Sequence, residues 1–224
     1  MDEANKQFIG KMIHKILKYE LQNRVRSFEC YLKDLEKDFE KKYQKIESEY
    51  SIDKSNSSEE DFKANEFMRN FLIYSHVETN VEILRKSLVI AIYSFLEHHL
   101  NLIGNHLADF HATDVKLTDF SGGGIKRAKS YLTKVHNIEF CMLNDCWSFL
   151  SNFNKVRNCL VHTDGDVSLM ESPKSLSNIV HNSDGLSLIN EKQIKIEEYD
   201  IYECIDKINE FLTAIIGDAF SEYA

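Results

Sequence analysis

The chain has 224 residues, 43% of them hydrophobic, and a formal net charge of -9 at pH 7. This length allows one large domain or two small ones. The negative charge argues against general adhesion to nucleic acid, because nonspecific binding requires many Lys and Arg side chains on phosphates. One Pro and eight Gly are few helix breakers, so we predict an all-α protein with one small β excursion.

The sequence also indicates where the protein works. It contains no run of about 18 uncharged apolar residues, and its start, MDEANKQFIGK, lacks the basic residues and apolar core of a signal peptide. We therefore expect a cytoplasmic protein with no membrane segment. The five cysteines are scattered without a CxxC pair, so we expect reduced, mostly buried thiols. They are Cys30, Cys141, Cys146, Cys159 and Cys204.

The first half of the chain has the pattern of two long helices. From residue 4 to 50, apolar residues recur in steps of three and four between Lys and Glu, which predicts a long amphipathic helix, either a coiled coil or a helix packed on the domain. The polar stretch SIDKSNSSEED (51–61) predicts a loop. The next helical run (62–108) includes SLVIAIYSFLEHHLNLIG, which is apolar around most of its circumference and so belongs in the core.

The second half alternates short helices with loops. A glycine-rich loop precedes the helix IKRAKSYLTKVHNIEF, and a further amphipathic helix ends at TDGD, where Gly165 is suited to positive φ. We predict a polar loop over 164–184, a hairpin in LSLINEKQIKIEEY and a closing helix with apolar residues from Ile201 to Ile216. Without a repeat or a large break, residues 1–224 are predicted to form one domain.

The stretch KVRNCLVH (155–162) is the candidate site. On a helix, Asn158 and His162 are four residues apart and share a face, so the amide can orient the imidazole. Arg157 is about 140° around the helix from His162. An imidazole that titrates near neutral pH and a fixed guanidinium are what RNA cleavage by its own 2′-hydroxyl requires, without a metal ion.

Spacing alone is weak support for this chemistry. The chain contains a second, looser match, with Arg69, Asn70 and His76. By spacing alone, a surface or ion-paired arginine and a capping histidine are the simpler interpretation. The 140° offset also predicts that one straight helix does not close both residues on one phosphate, and a symmetric dimer would place two such helices face to face.

RNCLVH resembles the R-N-x-x-x-H signature of the HEPN superfamily, and the resemblance extends over most of the chain. FSGGGIKRAKSYL is similar to the glycine-rich turn and basic helix start of stand-alone HEPN proteins of the MAE type. SLVIAIYSFLEHHLN resembles their central helix with its acidic residue, here Glu97. RVRSFECYL near the N-terminus is also similar to those proteins, and the tail from IKIEEYDI onward resembles their closing hairpin and helix.

The resemblance implies a HEPN-like bundle of long antiparallel helices with a small β-hairpin near the C-terminus. It implies a metal-independent, homodimeric endoribonuclease without a cofactor, which leaves 2′,3′-cyclic phosphate ends. Arg157 would bind the scissile phosphate, His162 would act as general base or acid, Asn158 would orient them, and Glu97 would be the acidic residue of the site. Such a protein is expected to be a toxin or anti-phage defence effector held in check by an antitoxin or regulatory protein. The alternative is a noncatalytic module for dimerisation and partner binding.

Two other groups of residues are weaker candidates for a binding site. Lys126, Arg127 and Lys129 follow three glycines and form the main local basic cluster, which is either an RNA-binding site or a solvated helix start. His99 and His106 share a helical face, but two turns separate them by about 10.5 Å, too far for two ligands of one ion. We predict no metal site.

Overall fold

The computed structural model describes residues 3–51, 57–140 and 143–223. The structure is all-α with one small antiparallel hairpin, as predicted from composition and periodicity. Its helices and strands are α1 (Glu3–Glu49), α2 (Glu59–Ile73), α3 (Thr79–His111), α4 (Gly124–His136), α5 (Asn144–Thr163), α6 (Pro173–His181), β1 (Leu186–Ile189), β2 (Gln193–Ile196) and α7 (Glu198–Ala219).

Helix α3 is the central element of the fold. It contacts α1, α4, α5, α7 and strand β2. Its apolar residues point in several directions, and Leu96, Leu100 and Ile103 are completely buried. A helix surrounded by others must be apolar around most of its circumference, which is why this segment lacks a clear polar face. The predicted core position of the segment is therefore confirmed.

The long N-terminal helix is also confirmed. Leu17, Leu21 and Leu32 of α1 are buried at 0 to 1% exposure, against α3 and α7. Farther along, α1 extends to Glu49 with mostly exposed side chains. The loop predicted over 51–61 is shorter than expected: α2 begins at Glu59, because Oγ of Ser58 caps it by accepting from the Asp61 backbone N–H (3.1 Å). Residues 52–56 of that loop lie outside the described residues.

The predicted helix over 62–108 is interrupted. A π-helical turn, Tyr74–Glu78, separates α2 from α3. In this turn the Thr79 backbone N–H donates to the Tyr74 carbonyl, which adds one residue to the regular α-helical spacing. Periodicity does not indicate such an insertion, because the chain continues in a helical direction on both sides.

The polar loop predicted over 164–184 is wrong for its second half. Helix α6 begins at Pro173, which fits the first helical position because its missing N–H has no intrahelical partner there. Leu176 and Val180 are four residues apart and buried. The apolar spacing of this nine-residue helix is too short a signal to outweigh the surrounding Ser and Asn residues.

The C-terminal hairpin and helix agree with their predictions. Leu186 pairs with Ile196, and Leu188 with Ile194, in an antiparallel register. The end of α5 is also as predicted, since Gly165 has a φ of 91°. No helix in the described part of the chain is long and apolar enough to cross a membrane.

Most of the described thiols are buried, as predicted. Cys146, Cys159 and Cys204 are buried free thiols, whereas Cys30 is exposed on α1. Cys141 lies outside the described residues.

Candidate functional site

Helix α5 places the motif at the edge of the core. Phe153, Val156 and Leu160 recur at steps of three and four and are 0 to 5% exposed, so this stripe is fixed against the interior. Because a helix advances about 100° per residue, Arg157 emerges beside the stripe. It lies on the side of α5 that faces α3.

Arg157 is held by contacts from two helices. Its Nη1 donates to Oδ1 of the neighbouring Asn158 (3.0 Å). Its Nη2 lies 3.9 Å from Oε2 of Glu97 on α3, and its guanidinium carbon is 5.8 Å from the centre of the Tyr93 ring. The Arg157 side chain is 23% exposed. Its Nε is buried and has no hydrogen-bond partner among the described residues.

The ring of Tyr93, whose phenol is uncharged, lies against this cation. Its side chain is 1% exposed, and burial, with a smaller contribution from Glu97, raises the pKa of the Tyr93 phenol well above its usual range. The phenol therefore stays neutral, and the ring face contributes a cation–π contact to Arg157. Tyr93 precedes Glu97 by four residues on α3, so the two share a face. This spacing is the sequence signal that would have identified Tyr93.

The glycine-rich turn before α4 lies against Glu97. Gly124 starts α4 with a φ of 54°, and a Cβ built on it would lie 2.5 Å from Oε1 of Glu97. A side chain at this position would meet both backbone strain and a steric clash. The structure thus brings Glu97, Gly124, Arg157 and Asn158 together, although they come from three helices.

His162 lies at the C-terminal end of the same helix, in a different environment. It is exposed and lines an open groove of about 740 Å³ between α5 and the segment 169–176. Asn158 and Lys155 line this groove as well, since positions 155, 158 and 162 follow one face of α5. Lys155 was missed by sequence reasoning, although its spacing from Asn158 and His162 was a visible signal.

Asn158 therefore links the two parts of the motif. Its side-chain oxygen accepts the hydrogen bond from Arg157, and the residue lines the groove that contains His162. Arg157 itself turns toward Glu97 and Tyr93. Within one chain, Arg157 and His162 thus face neighbouring surfaces joined by Asn158.

The basic cluster at the start of α4 does not form one surface. Lys126 is exposed, whereas Arg127 lines a separate cavity with Asn101 and Asp109. Nζ of Lys129 lies 4.2 Å from the centre of the Trp147 ring. Arg127 lies on a different side of α4 from Lys126 and Lys129, because it is about 100° and 160° around the helix from them.

The second, looser match has similar local contacts but a different setting. Arg69 also donates to the following asparagine, at 3.4 Å, and faces Glu47 at 3.8 Å. It lies on α2, whose described side chains are mostly exposed, while His76 lies in the π-helical turn. The contact of the arginine with the following asparagine and its long ion pair with a glutamate are therefore common to both matches. The buried Tyr93 ring and the groove distinguish Arg157 and His162 from Arg69 and His76.

Cys159, inside the motif, is completely buried. Burial raises the pKa of its thiol, and its Sγ lies 3.3 Å from Oγ1 of Thr163. These features disfavour a thiolate nucleophile and fit a side chain that packs the helix against the core.

Comparisons with known proteins give no relative for this chain. A scan against protein-family models, a search of curated proteins and a search of solved structures each found no significant match.

Proposed function

We propose that the protein is a metal-independent endoribonuclease of the HEPN type. The observation that carries the proposal is the position of Asn158, which binds the Arg157 guanidinium and lines the groove of His162. A phosphate-binding cation and an exposed imidazole on adjacent surfaces of one helix end suit cleavage of a phosphodiester.

The proposed reaction is an internal transfer. The 2′-oxygen of the ribose forms a bond to phosphorus while the bond from phosphorus to the 5′-oxygen of the next nucleotide breaks. His162 takes the proton of the 2′-hydroxyl as a general base or gives a proton to the leaving 5′-oxygen as a general acid. Arg157 stabilises the charge that builds on the non-bridging oxygens. The products are a 2′,3′-cyclic phosphate and a 5′-hydroxyl.

Glu97 and Lys155 support this arrangement. Glu97 faces Arg157 from α3 at 3.9 Å and is proposed to position the guanidinium. Lys155 lines the groove beside His162, where its ammonium can attract the RNA backbone. Lys126, at the start of α4, remains a candidate for peripheral RNA contact. The net charge of -9 disfavours RNA elsewhere on the surface.

A homodimer fits the divergence of Arg157 and His162. Two copies of α5 facing each other would provide Arg157 and His162 from both chains around one cleft. In the cell we propose a cytoplasmic toxin or anti-phage defence effector, controlled by an antitoxin or another regulatory protein, because an unregulated ribonuclease would arrest growth.

The deciding experiment is cleavage of a mixed RNA pool by the purified protein in EDTA, with analysis of the product ends. We expect cyclic phosphate ends from the wild type and loss of cleavage in Arg157→Ala and His162→Ala. Arg69→Ala and His76→Ala are matched controls, because they alter the second match in the same chain. Equal activity in wild type and His162→Ala would contradict the proposal.

A second candidate function is a noncatalytic interaction module. Phe8, Met12, Ile16 and Tyr19 form a stripe along α1 with exposures of 45 to 67%, and an apolar stripe of this kind is typical of an interaction surface. If wild type and His162→Ala are equally inert as intact dimers, while Ile16→Glu abolishes self-association or binding of a purified partner, this function is favoured.

A further inference from the structure

A second cavity, separate from the groove of His162, lies between α5, α6 and the start of α7. Its volume is about 280 Å³. Phe149 and Phe153 of α5 line one side, and their rings stack with centres 5.5 Å apart. Helix α6 contributes Asn178 to this cavity and Leu176 to the groove, so the two spaces share one helix as a wall.

A buried carboxylate forms part of this cavity. Asp200, in the first turn of α7, lines it and is 0% exposed. Its Oδ1 accepts a hydrogen bond from Oγ of Ser183 (2.9 Å), whereas Oδ2 has no partner among the described residues. A buried carboxyl oxygen without a donor is unfavourable. The site therefore has an acceptor for which the described residues provide no donor.

The backbone holds Asp200 in place. Gly185 lies directly against it, so that a Cβ at position 185 would overlap the Asp200 side chain. The backbone N–H of Glu197 donates to the Gly185 carbonyl (2.8 Å). Because these contacts fix the start of α7, Asp200 cannot turn outward to solvent without rearrangement of this segment.

The surrounding charges are all negative. Glu203 and Asp184 also line the cavity, and none of its described lining residues is Lys, Arg or His. Burial, with a smaller contribution from the charge of Glu203, raises the pKa of Asp200 to about 6. The carboxylate is thus largely ionised above neutral pH, in a cavity without a counter-charge from those residues.

We propose that this cavity binds a small organic cation whose amine or guanidinium group donates hydrogen bonds to Asp200. The charge complements the three carboxylates, and the side-chain oxygens of Asn178 and Asn182 supply further acceptors. The carbon chain of the ligand lies against the rings of Phe149 and Phe153, which also attract a nearby cation.

A metal ion fits this cavity less well. In the described part of the chain, no group of three or more His, Cys, Asp and Glu side chains is arranged to hold one. Ca²⁺ takes six to eight oxygen ligands and Mg²⁺ requires near-octahedral geometry. An amine needs only a few acceptors, and the Phe149 and Phe153 rings are a better surface for carbon than for a hydrated ion.

Isothermal titration calorimetry of the full chain tests the proposal with three kinds of probe. 1,4-Diaminobutane and 4-aminobutylguanidine are the cations, 1,4-butanediol is the neutral analogue, and Mg²⁺ and Ca²⁺ are the alternative ligands. We expect saturable binding of at least one organic cation at neutral pH, and none of the diol. Affinity should increase as the pH rises through about 6, because the ligand binds the ionised carboxylate.

Two variants and one control identify the site. Asp200→Asn keeps the shape of the side chain but removes its charge, and should weaken binding about tenfold or more. Asn152→Phe fills the cavity from its exposed side and leaves Asp200 intact, so it should weaken binding even if Asp200→Asn does not fold. Asp206→Asn changes an exposed aspartate of α7 and should bind as the wild type does.

Three results would overturn the proposal. They are absence of organic-cation binding to the folded wild type, binding of Mg²⁺ or Ca²⁺ only, and cation binding that the Asp200 and Asn152 changes leave unaltered. The last result would indicate nonspecific attraction to the acidic surface. None depends on ribonuclease activity, so this proposal and the proposed function fail separately.

Discussion

Nζ of Lys86 on α3 donates a hydrogen bond to the backbone carbonyl of Asp164, which follows the last residue of α5, at 2.8 Å. The last carbonyls of a helix lack intrahelical partners, and a cation is favourable at this end of the helix dipole. Nε2 of Gln193 on β2 donates to the same carbonyl (2.5 Å). The end of α5 that bears His162 is therefore tied to the central helix and to the hairpin.

Lys86→Met should destabilise the fold by about 1–3 kcal/mol, because it removes a buried charged donor and leaves Asp164 with one fewer partner. Urea unfolding followed by circular dichroism measures the change. Lys45→Met is the matched control: Lys45 is 73% exposed and pairs with Glu49 at 3.7 Å, so its loss should cost less than about 0.5 kcal/mol. Equal effects of the two changes would show that Lys86 does not anchor α5.

Gly124→Ala should destabilise the protein by about 1–3 kcal/mol, since alanine is disfavoured at a φ of 54° and its Cβ would meet Glu97. Thermal unfolding measures the loss. Gly123 is the control, because its φ is -122° and nothing lies within 4 Å of a Cβ built there. Adding Glu97→Ala to Gly124→Ala should restore the stability lost through the clash with Glu97. The stability lost through backbone strain at position 124 should not return. No recovery in the double variant would argue against the contact.

The pair formed by Glu97 and Arg157 should matter more for activity than for stability. At 3.9 Å, with side chains 29% and 23% exposed, the ion pair is expected to contribute less than about 1 kcal/mol in a double-mutant cycle of urea unfolding. Glu97→Gln should nevertheless lower the RNA cleavage rate about 10- to 100-fold, because a misplaced guanidinium no longer meets the phosphate.

The pH profile of cleavage separates positioning from proton transfer in that experiment. If Glu97 only positions Arg157, the profile of Glu97→Gln keeps the shape of the wild-type profile at a lower rate. A profile that loses one limb would assign proton transfer to Glu97 and contradict the positioning role.

Asp200 should make stability depend on pH between about 4 and 6. Its pKa is raised from 3.8 to about 6 by burial, so the folded state binds the proton more tightly than the unfolded state. Its contribution is fully present below pH 4 and is lost as the pH rises through about 6, by about 3 kcal/mol in total. The charge of Glu203 acts in the same direction because it repels the ionised form, whereas the hydrogen bond from Ser183 lowers the pKa of Asp200.

Urea unfolding across this pH range, with Asp200→Asn beside the wild type, measures that contribution as a difference. The variant should be the more stable protein above pH 6, and the two free energies of unfolding should converge toward pH 4. The free energy of unfolding of Asp206→Asn should depend on pH as that of the wild type does. A constant difference between wild type and Asp200→Asn over the whole range would refute the raised pKa.

The sequence by itself determined the secondary structure wherever a periodic pattern was long. The helices α1, α3 and α7 and the stripe of Phe153, Val156 and Leu160 follow from apolar spacing, because burial of a continuous face requires it. The hairpin followed from alternation around a polar turn. Short or locally ambiguous elements were not predicted. Helix α6 has only nine residues, and the π-helical turn at Tyr74–Glu78 leaves the periodicity on either side intact.

Only the tertiary structure decided which side chains meet. Glu97 and Arg157 are 60 positions apart in the chain, and their contact depends on how α3 packs against α5. The basic residues of α4 looked like one cluster, but Arg127 lines a separate cavity, because adjacent helical positions are about 100° apart. Asp200 looked like an ordinary first-turn acid, and its burial depends on Gly185 and Ser183 from the loop before β1. Such contacts between distant segments leave no periodic signal in a single sequence.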